Sequence, residues 1–187
     1  TGALHHAIHN YSADGDEVLI TDWHWGAYDS LIDYPDRRVV SFRFLTEDGH
    51  FHVDAFREKV EDILTRQKNI VIILNGVANN PTGYCMSVEE WQAAVDVLKH
   101  TVEGKDKNAV LIPDVAYLDY SGEKQECRRF FKVFGGLPKN ILTIVAYTLS
   151  KGFTLYGQRQ GAMIGITSDA DVAKEFVDIN QYASRAT

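Results

Sequence analysis

The sequence predicts an α/β fold, a mostly parallel sheet with flanking helices, and three observations predict it. Four short apolar runs, Glu17–Thr21, Asn69–Leu74, Asn108–Pro113 and Ile141–Ala146, are rich in β-branched residues and apolar throughout. That is the pattern of strands buried on both faces of a parallel sheet. Stretches of helical spacing separate them, which gives the strand–helix alternation of parallel crossovers. Each run also stops abruptly at or near a polar residue: Asp22, Asn75, Asp114, and the pair Thr148 and Lys151.

Taken in order, the chain opens on a helix, with Leu4, Ala7, Ile8 and Tyr11 at helical spacing. The Glu17 run follows, and then a helix over Val53–Leu64 with apolar positions at Val53, Phe56, Val60, Ile63 and Leu64. After the Asn69 run, a helix spans Ser87–Val102, where Ser87 and Glu90 have the spacing of a capping box. The Asn108 and Ile141 runs come next. Gly161–Thr167 reads as a further strand, too close behind Lys151 for a helical crossover and therefore antiparallel to the Ile141 strand. A final helix carries Val172, Phe176, Ile179 and Tyr182 and is expected to run to Thr187. Loops are expected at 46–50, 75–86, 103–108, 121–124 and 135–140.

Ligands of such sheets sit outside the carboxyl ends of the strands. Trp25, Asn80, Asp114, Tyr117, Thr148 and Lys151 all fall just past one. A lysine at the end of a buried strand is expected to have a lowered pKa, because desolvation disfavours the ammonium. Its free amine is the nucleophile that forms Schiff bases with aldehydes such as pyridoxal phosphate. The other residues suit the same cofactor. A buried carboxylate, Asp114, would keep a ring nitrogen protonated, and Asn80 and Tyr117 offer donors to a phenolic oxygen. Trp25, with Trp23 as its rival, could stack on a flat ring. Thr148, Arg159 and the helix start at Thr1 and Gly2 suit a phosphate.

These residues lie in segments that resemble the fold-type I, class I pyridoxal-phosphate-dependent aminotransferases, and in particular the aspartate/aromatic branch. The matching segments are Asn80-Pro81-Thr82-Gly83, Asp114-Val115-Ala116-Tyr117 and the stretch from Ser150 to Gly161. Thr1-Gly2-Ala3-Leu4 and Asp22-Trp23-His24-Trp25 resemble the family's phosphate turn and ring-stacking segment. The likeness implies that Lys151 carries the Schiff base and shuttles a proton, Asp114 pairs with the ring nitrogen, and Asn80 and Tyr117 bond the phenolic oxygen. It implies Trp25 as the stacking ring, and Thr148, Arg159 and the backbone around Thr1 and Gly2 as the phosphate site. It further implies amino acid and 2-oxo acid substrates, and a homodimer. A pyridoxal-phosphate lyase or decarboxylase would use the same scaffold, and so would the effector domain of a transcriptional regulator.

The chain departs from the family at Gln160, where a small apolar residue is usual, and lacks the turn before Thr1. The neighbour-subunit tyrosine and the small-domain arginine that grips the substrate carboxylate are also missing. Residues 1–187 are therefore expected to be a pyridoxal-phosphate-binding large domain, incomplete at both ends, without its small closing domain and inactive alone.

A net charge of −7 argues against nucleic acid or an anionic membrane as the main partner. No apolar run is long enough to span a bilayer. Cys85 and Cys127 read as reduced thiols of a cytoplasmic protein. His5 and His9 have the i, i+4 spacing of a zinc pair, but no third ligand accompanies them, so no metal is expected. Asp29, Asp33 and Asp36 read as a solvated face.

Overall fold

The computed structural model describes residues 1–34 and 36–185. Its elements in chain order are α1 (Gly2–Tyr11), β1 (Glu17–Thr21), α2 (Ala27–Asp33), β2 (Arg38–Phe42), α3 (Val53–Arg66), β3 (Asn69–Leu74), α4 (Val88–Val102), β4 (Asn108–Pro113), β5 (Ile141–Thr148), α5 (Leu149–Gly152), β6 (Gly161–Ile166) and α6 (Ala170–Arg185). Tight 3-10 turns cover Leu118–Tyr120, Glu126–Phe134 and Tyr156–Gln158.

The strands form one sheet in the order β2-β1-β3-β4-β5-β6. Every pairing is parallel except β5 with β6, which is antiparallel from Thr143 opposite Ile166 to Thr148 opposite Gly161. The predicted fold class and its one antiparallel strand are what the structure has. From β1 the chain goes outward to β2 and then returns to β3 on the other side. The order therefore reverses between β1 and β3, and the crevice expected at such a point lies at their carboxyl ends.

Alternation along each strand splits the core between two faces. Ile70, Ile72 and Leu74 point to one side, with Leu19 and Leu111, and pack under α3, α4 and the 126–134 turn. Val71 and Ile73 point to the other, with Val18, Ile20, Val110, Ile112 and Ile144, beneath α1 and α2. Each fully buried Ile or Leu contributes about 1.5–3 kcal/mol. Ser87 caps α4 in a full capping box, accepting from the Glu90 N–H while the Glu90 side chain accepts from the Ser87 N–H. Glu90 does more than cap. It also accepts from the Phe51 N–H at 2.8 Å and the Tyr84 hydroxyl at 2.6 Å, joining α4 to two loops.

Some boundaries differ from expectation. The Asn108–Pro113 run is β4 with the bounds expected, whereas Thr148 is the last residue of β5 instead of lying beyond it. Strand β2 and helix α2 had no counterpart among the expected elements. The expected continuation of the last helix to Thr187 lies outside the described residues.

Candidate functional site

Four strand ends meet in one cavity of about 210 Å³. Its wall includes Thr1, Trp25, Asn80, Asp114, Tyr117, Thr148, Lys151 and Arg159, so eight of the nine residues expected from sequence converge there. Gly2 does not line it; it is the first residue of α1. The cavity also draws in Tyr28, Asn75, Ser150 and Tyr156, which were not anticipated.

Asp114 follows β4 and is buried to 7 % exposure. Its Oδ2 accepts from the Tyr28 hydroxyl at 2.6 Å and its Oδ1 from the Ala116 N–H at 3.0 Å. Burial raises the Asp114 pKa, and the two donors pull against that rise. Tyr28 is pushed well above the ordinary phenol value, by burial first and then by the Asp114 charge, so it stays a proton donor.

Asn75, at the end of β3, ties two walls together. Its amide donates to the main-chain oxygen of Asp114 at 2.8 Å, and its Oδ1 accepts from the Asn80 N–H at 2.7 Å. The Asn80–Pro81 bond is cis. The Asn80 side chain has no hydrogen-bond partner among the described residues, which leaves its amide available to the cavity.

Of the two rival tryptophans, Trp25 lines the cavity at 38 % exposure, while Trp23 stands outside it at 56 %. Trp25 meets Tyr28 edge to face at 5.8 Å, and His24 stacks on Tyr28 at 6.2 Å.

Lys151 sits in α5, whose first turn is capped by the Thr148 hydroxyl accepting from the Ser150 N–H at 3.2 Å. Its Nζ lies 5.4 Å from the centre of the Tyr117 ring and 4.8 Å from that of Tyr156. Here the sequence expectation of a lowered pKa is corrected. Desolvation does act downward, but hydrogen bonding and charge at Tyr117 and Tyr156 outweigh it, and the pKa is raised. The lysine is only half-buried, so the desolvation assumed for a strand end is incomplete.

Arg159 takes a left-handed backbone conformation, φ 52°. It donates to the Tyr156 carbonyl at 2.8 Å and has no carboxylate partner among the described residues. With Thr148 and the start of α1 it forms the cationic, donor-rich end of the cavity.

The arrangement suits a planar, anionic ligand that bears a basic ring nitrogen, an oxygen acceptor and an electrophilic carbon. A buried carboxylate, an unpartnered amide, an aromatic face, a guanidinium and one amine are the complementary groups. The fold and this site define a class of protein that holds an aldehyde cofactor at the carboxyl ends of a parallel sheet.

The chain belongs to the family described as aminotransferase class I and II, whose model matches residues 1–185. It is 29 % identical over 160 residues to the mitochondrial aspartate aminotransferase P2 of Lupinus angustifolius, covering 85 % of this chain and 33 % of that one. It is 25 % identical over 158 residues to an aromatic-amino-acid aminotransferase of Pseudomonas aeruginosa, covering 84 % and 37 %. The crystal structure of an aminotransferase from Anaerococcus prevotii superposes with a TM-score of 0.97 at 36 % identity, over 99 % of this chain and 45 % of that one. An aromatic-amino-acid aminotransferase from Burkholderia pseudomallei, covalently bound to pyridoxal phosphate, shares the fold with a TM-score of 0.79 at 21 % identity, over 100 % and 44 %. The chain thus spans between a third and a half of the length of these relatives.

Proposed function

We propose that this chain is the pyridoxal-phosphate-binding large domain of an aminotransferase that moves an amino group between an amino acid and a 2-oxo acid. The observation that carries the proposal is the convergence of Lys151, Asp114, Asn80, Tyr117, Trp25 and Arg159 on one cavity. The names of the relatives favour aspartate or an aromatic amino acid as the amino donor.

The residues divide the work by their chemistry. Lys151 would anchor the cofactor's aldehyde carbon covalently and, once displaced by substrate, serve as the amine that takes and returns the proton at the substrate's α-carbon. Asp114 would hold the proton on the ring nitrogen, and Asn80 and Tyr117 would donate to the phenolic oxygen. Trp25 would lie against the ring. Thr148, Arg159 and the backbone at Thr1 and Gly2 would bind the phosphate. Pyridoxal phosphate, when bound, supplies an electron sink for the pair released at the α-carbon.

A homodimer is part of this reading, supported by the exposure of Phe153, Leu155 and Tyr156 around the lysine turn. So is a cytoplasmic location, for which the two unpaired cysteines speak. No helix among the described residues is long and apolar enough to cross a membrane.

The test is to supply the full-length protein with pyridoxal phosphate, an amino acid and 2-oxoglutarate, and to assay glutamate. Production of glutamate with aspartate or an aromatic amino acid, abolished by Lys151→Ala, is the expected result. Loss of the amino acid's carboxyl carbon as carbon dioxide, with no new amino acid formed, would contradict it.

A further inference from the structure

We propose that Tyr28 is a positioning residue for Asp114: its hydroxyl fixes the plane of the buried carboxylate and supplies the neutral donor that lets that group remain an anion facing the cavity. The inference rests on the cofactor reading above and deepens it. None of the sequence motifs includes Tyr28, and its partner lies 86 positions away.

The first observation is the contact itself. The hydroxyl donates to Asp114 Oδ2 at 2.6 Å, at the short end for a hydroxyl donor to a carboxylate. Tyr28 is 1 % exposed, so water does not compete for this bond. The second observation is that each carboxylate oxygen has one donor. Oδ1 receives the Ala116 N–H, and Oδ2 receives the phenol. Two donors on different oxygens stop the carboxylate from rotating, and a carboxylate oxygen can accept more than one bond. A lone pair therefore stays free to meet a protonated ring nitrogen.

The third observation is that the tyrosine ring is itself immobilised. His24 stacks on it at 6.2 Å and Trp25 meets it edge-on at 5.8 Å. His24 is held in turn by the Thr21 carbonyl at 2.9 Å and by Asp29 at 3.2 Å. The short segment from Trp25 into the first turn of α2 thus presents both the ring proposed to face the cofactor, Trp25, and the hydroxyl that holds the group proposed to meet its nitrogen.

Of the titratable groups around the pair, Tyr117 comes from the turn after β4. Lys151 and Arg159 lie in the same cavity. A phenol suits this place better than a cation. A cation would hold Asp114 as an anion but would compete with the ring nitrogen for its charge. The phenol stabilises the anion and leaves the full negative charge to the ligand.

The experiment uses the full-length protein, first without cofactor, labelled with aspartate carrying ¹³C at the side-chain carboxyl. The Asp114 signal is identified by its loss in Asp114→Asn and followed against pH. Tyr28→Phe keeps the ring and removes the donor, and the Asp114 titration is expected to move up by about one pH unit or more. Replacing Tyr28 by 3,5-difluorotyrosine keeps the shape and strengthens the donor, and the titration is expected to move down. The opposed signs keep the test decisive even if Tyr28→Phe folds poorly. An unmoved titration in the fluorinated protein would overturn the proposal.

The second arm measures affinity for pyridoxal phosphate by equilibrium dialysis. Tyr28→Phe is expected to weaken binding about tenfold in the Asp114 background and to have no further effect once Asp114→Asn is present. Equal weakening in both backgrounds would show that Tyr28 acts only through packing, which contradicts the proposal. The carboxyl titration does not depend on the cofactor. If it moves as expected while the protein fails to bind pyridoxal phosphate, the Tyr28–Asp114 coupling stands and the cofactor reading falls.

Discussion

The hydroxyl of Tyr120 donates to the main-chain oxygen of Lys151 at 2.8 Å, across 31 positions of sequence. The neighbouring Asp119 carboxylate occupies the space that a Cβ on Gly152 would need and is held there by the Tyr147 hydroxyl at 2.6 Å and Arg128 at 2.8 Å. The lysine turn is therefore clamped by the same segment that carries Tyr117. The position of the amine depends on this clamp as well as on β5.

Gly152→Ala tests the clamp. A Cβ at this position would overlap the Asp119 carboxylate, which cannot retreat without giving up Tyr147 or Arg128. We expect a loss of about 1–3 kcal/mol in stability, read by urea denaturation. Slower capture of pyridoxal phosphate, read by absorbance, should accompany it. Wild-type stability and capture rate would show that the clamp is slack.

The raised pKa of Lys151 predicts a pH dependence. An amine must lose its proton before it attacks an aldehyde carbon, so capture of pyridoxal phosphate should quicken as the pH rises toward the lysine's value. Tyr156→Phe removes one of the two hydroxyls that hold the ammonium. The rate profile should then move to lower pH, and a displacement of about one pH unit would mean about tenfold more free amine at neutral pH. Stopped-flow absorbance over a pH series reads the displacement directly, and an unchanged profile would show that Tyr156 does not hold the ammonium.

Glu90→Ala removes acceptors from the Ser87 N–H, the Phe51 N–H and the Tyr84 hydroxyl. Loss of the cap and of these bonds should cost about 1–3 kcal/mol. Burial alone would raise the Glu90 pKa, but those three donors outweigh it and the value is lowered. A depressed folded-state value means that the contribution is present above the unfolded carboxylate's pKa and fades as the pH falls through the folded one. The difference in melting temperature between wild type and variant should accordingly shrink in acid.

Asn75→Ala would leave the Asn80 N–H and the Asp114 carbonyl without their side-chain partner at a site of 3 % exposure. About 1–3 kcal/mol is expected for each stranded group. A crystal structure of the variant should show the Asn80 loop displaced from the end of β4.

The sheet was legible because its central strands are buried on both faces and read as unbroken apolar runs. Strand β2 escaped notice because it lies at the sheet edge, where Arg38 and Ser41 are exposed and Val39 and Val40 only half-buried. Helix α2 escaped because its seven residues bury only Tyr28 and Ile32, too few for a period to show. The residues expected in the site follow strand ends, and strand ends can be read from sequence. Tyr28 and Asn75 could not be assigned a task that way, since each acts on a residue that only the folded chain brings near. The Lys151 pKa failed for the same reason: sequence places it after a strand, but not between two tyrosines.

The most direct test of the central claim is borohydride reduction of the full-length protein with pyridoxal phosphate, followed by peptide mapping. A single stable pyridoxyl adduct on Lys151, absent from Lys151→Ala, is the predicted result. Label scattered over surface lysines, or none at all, would contradict it.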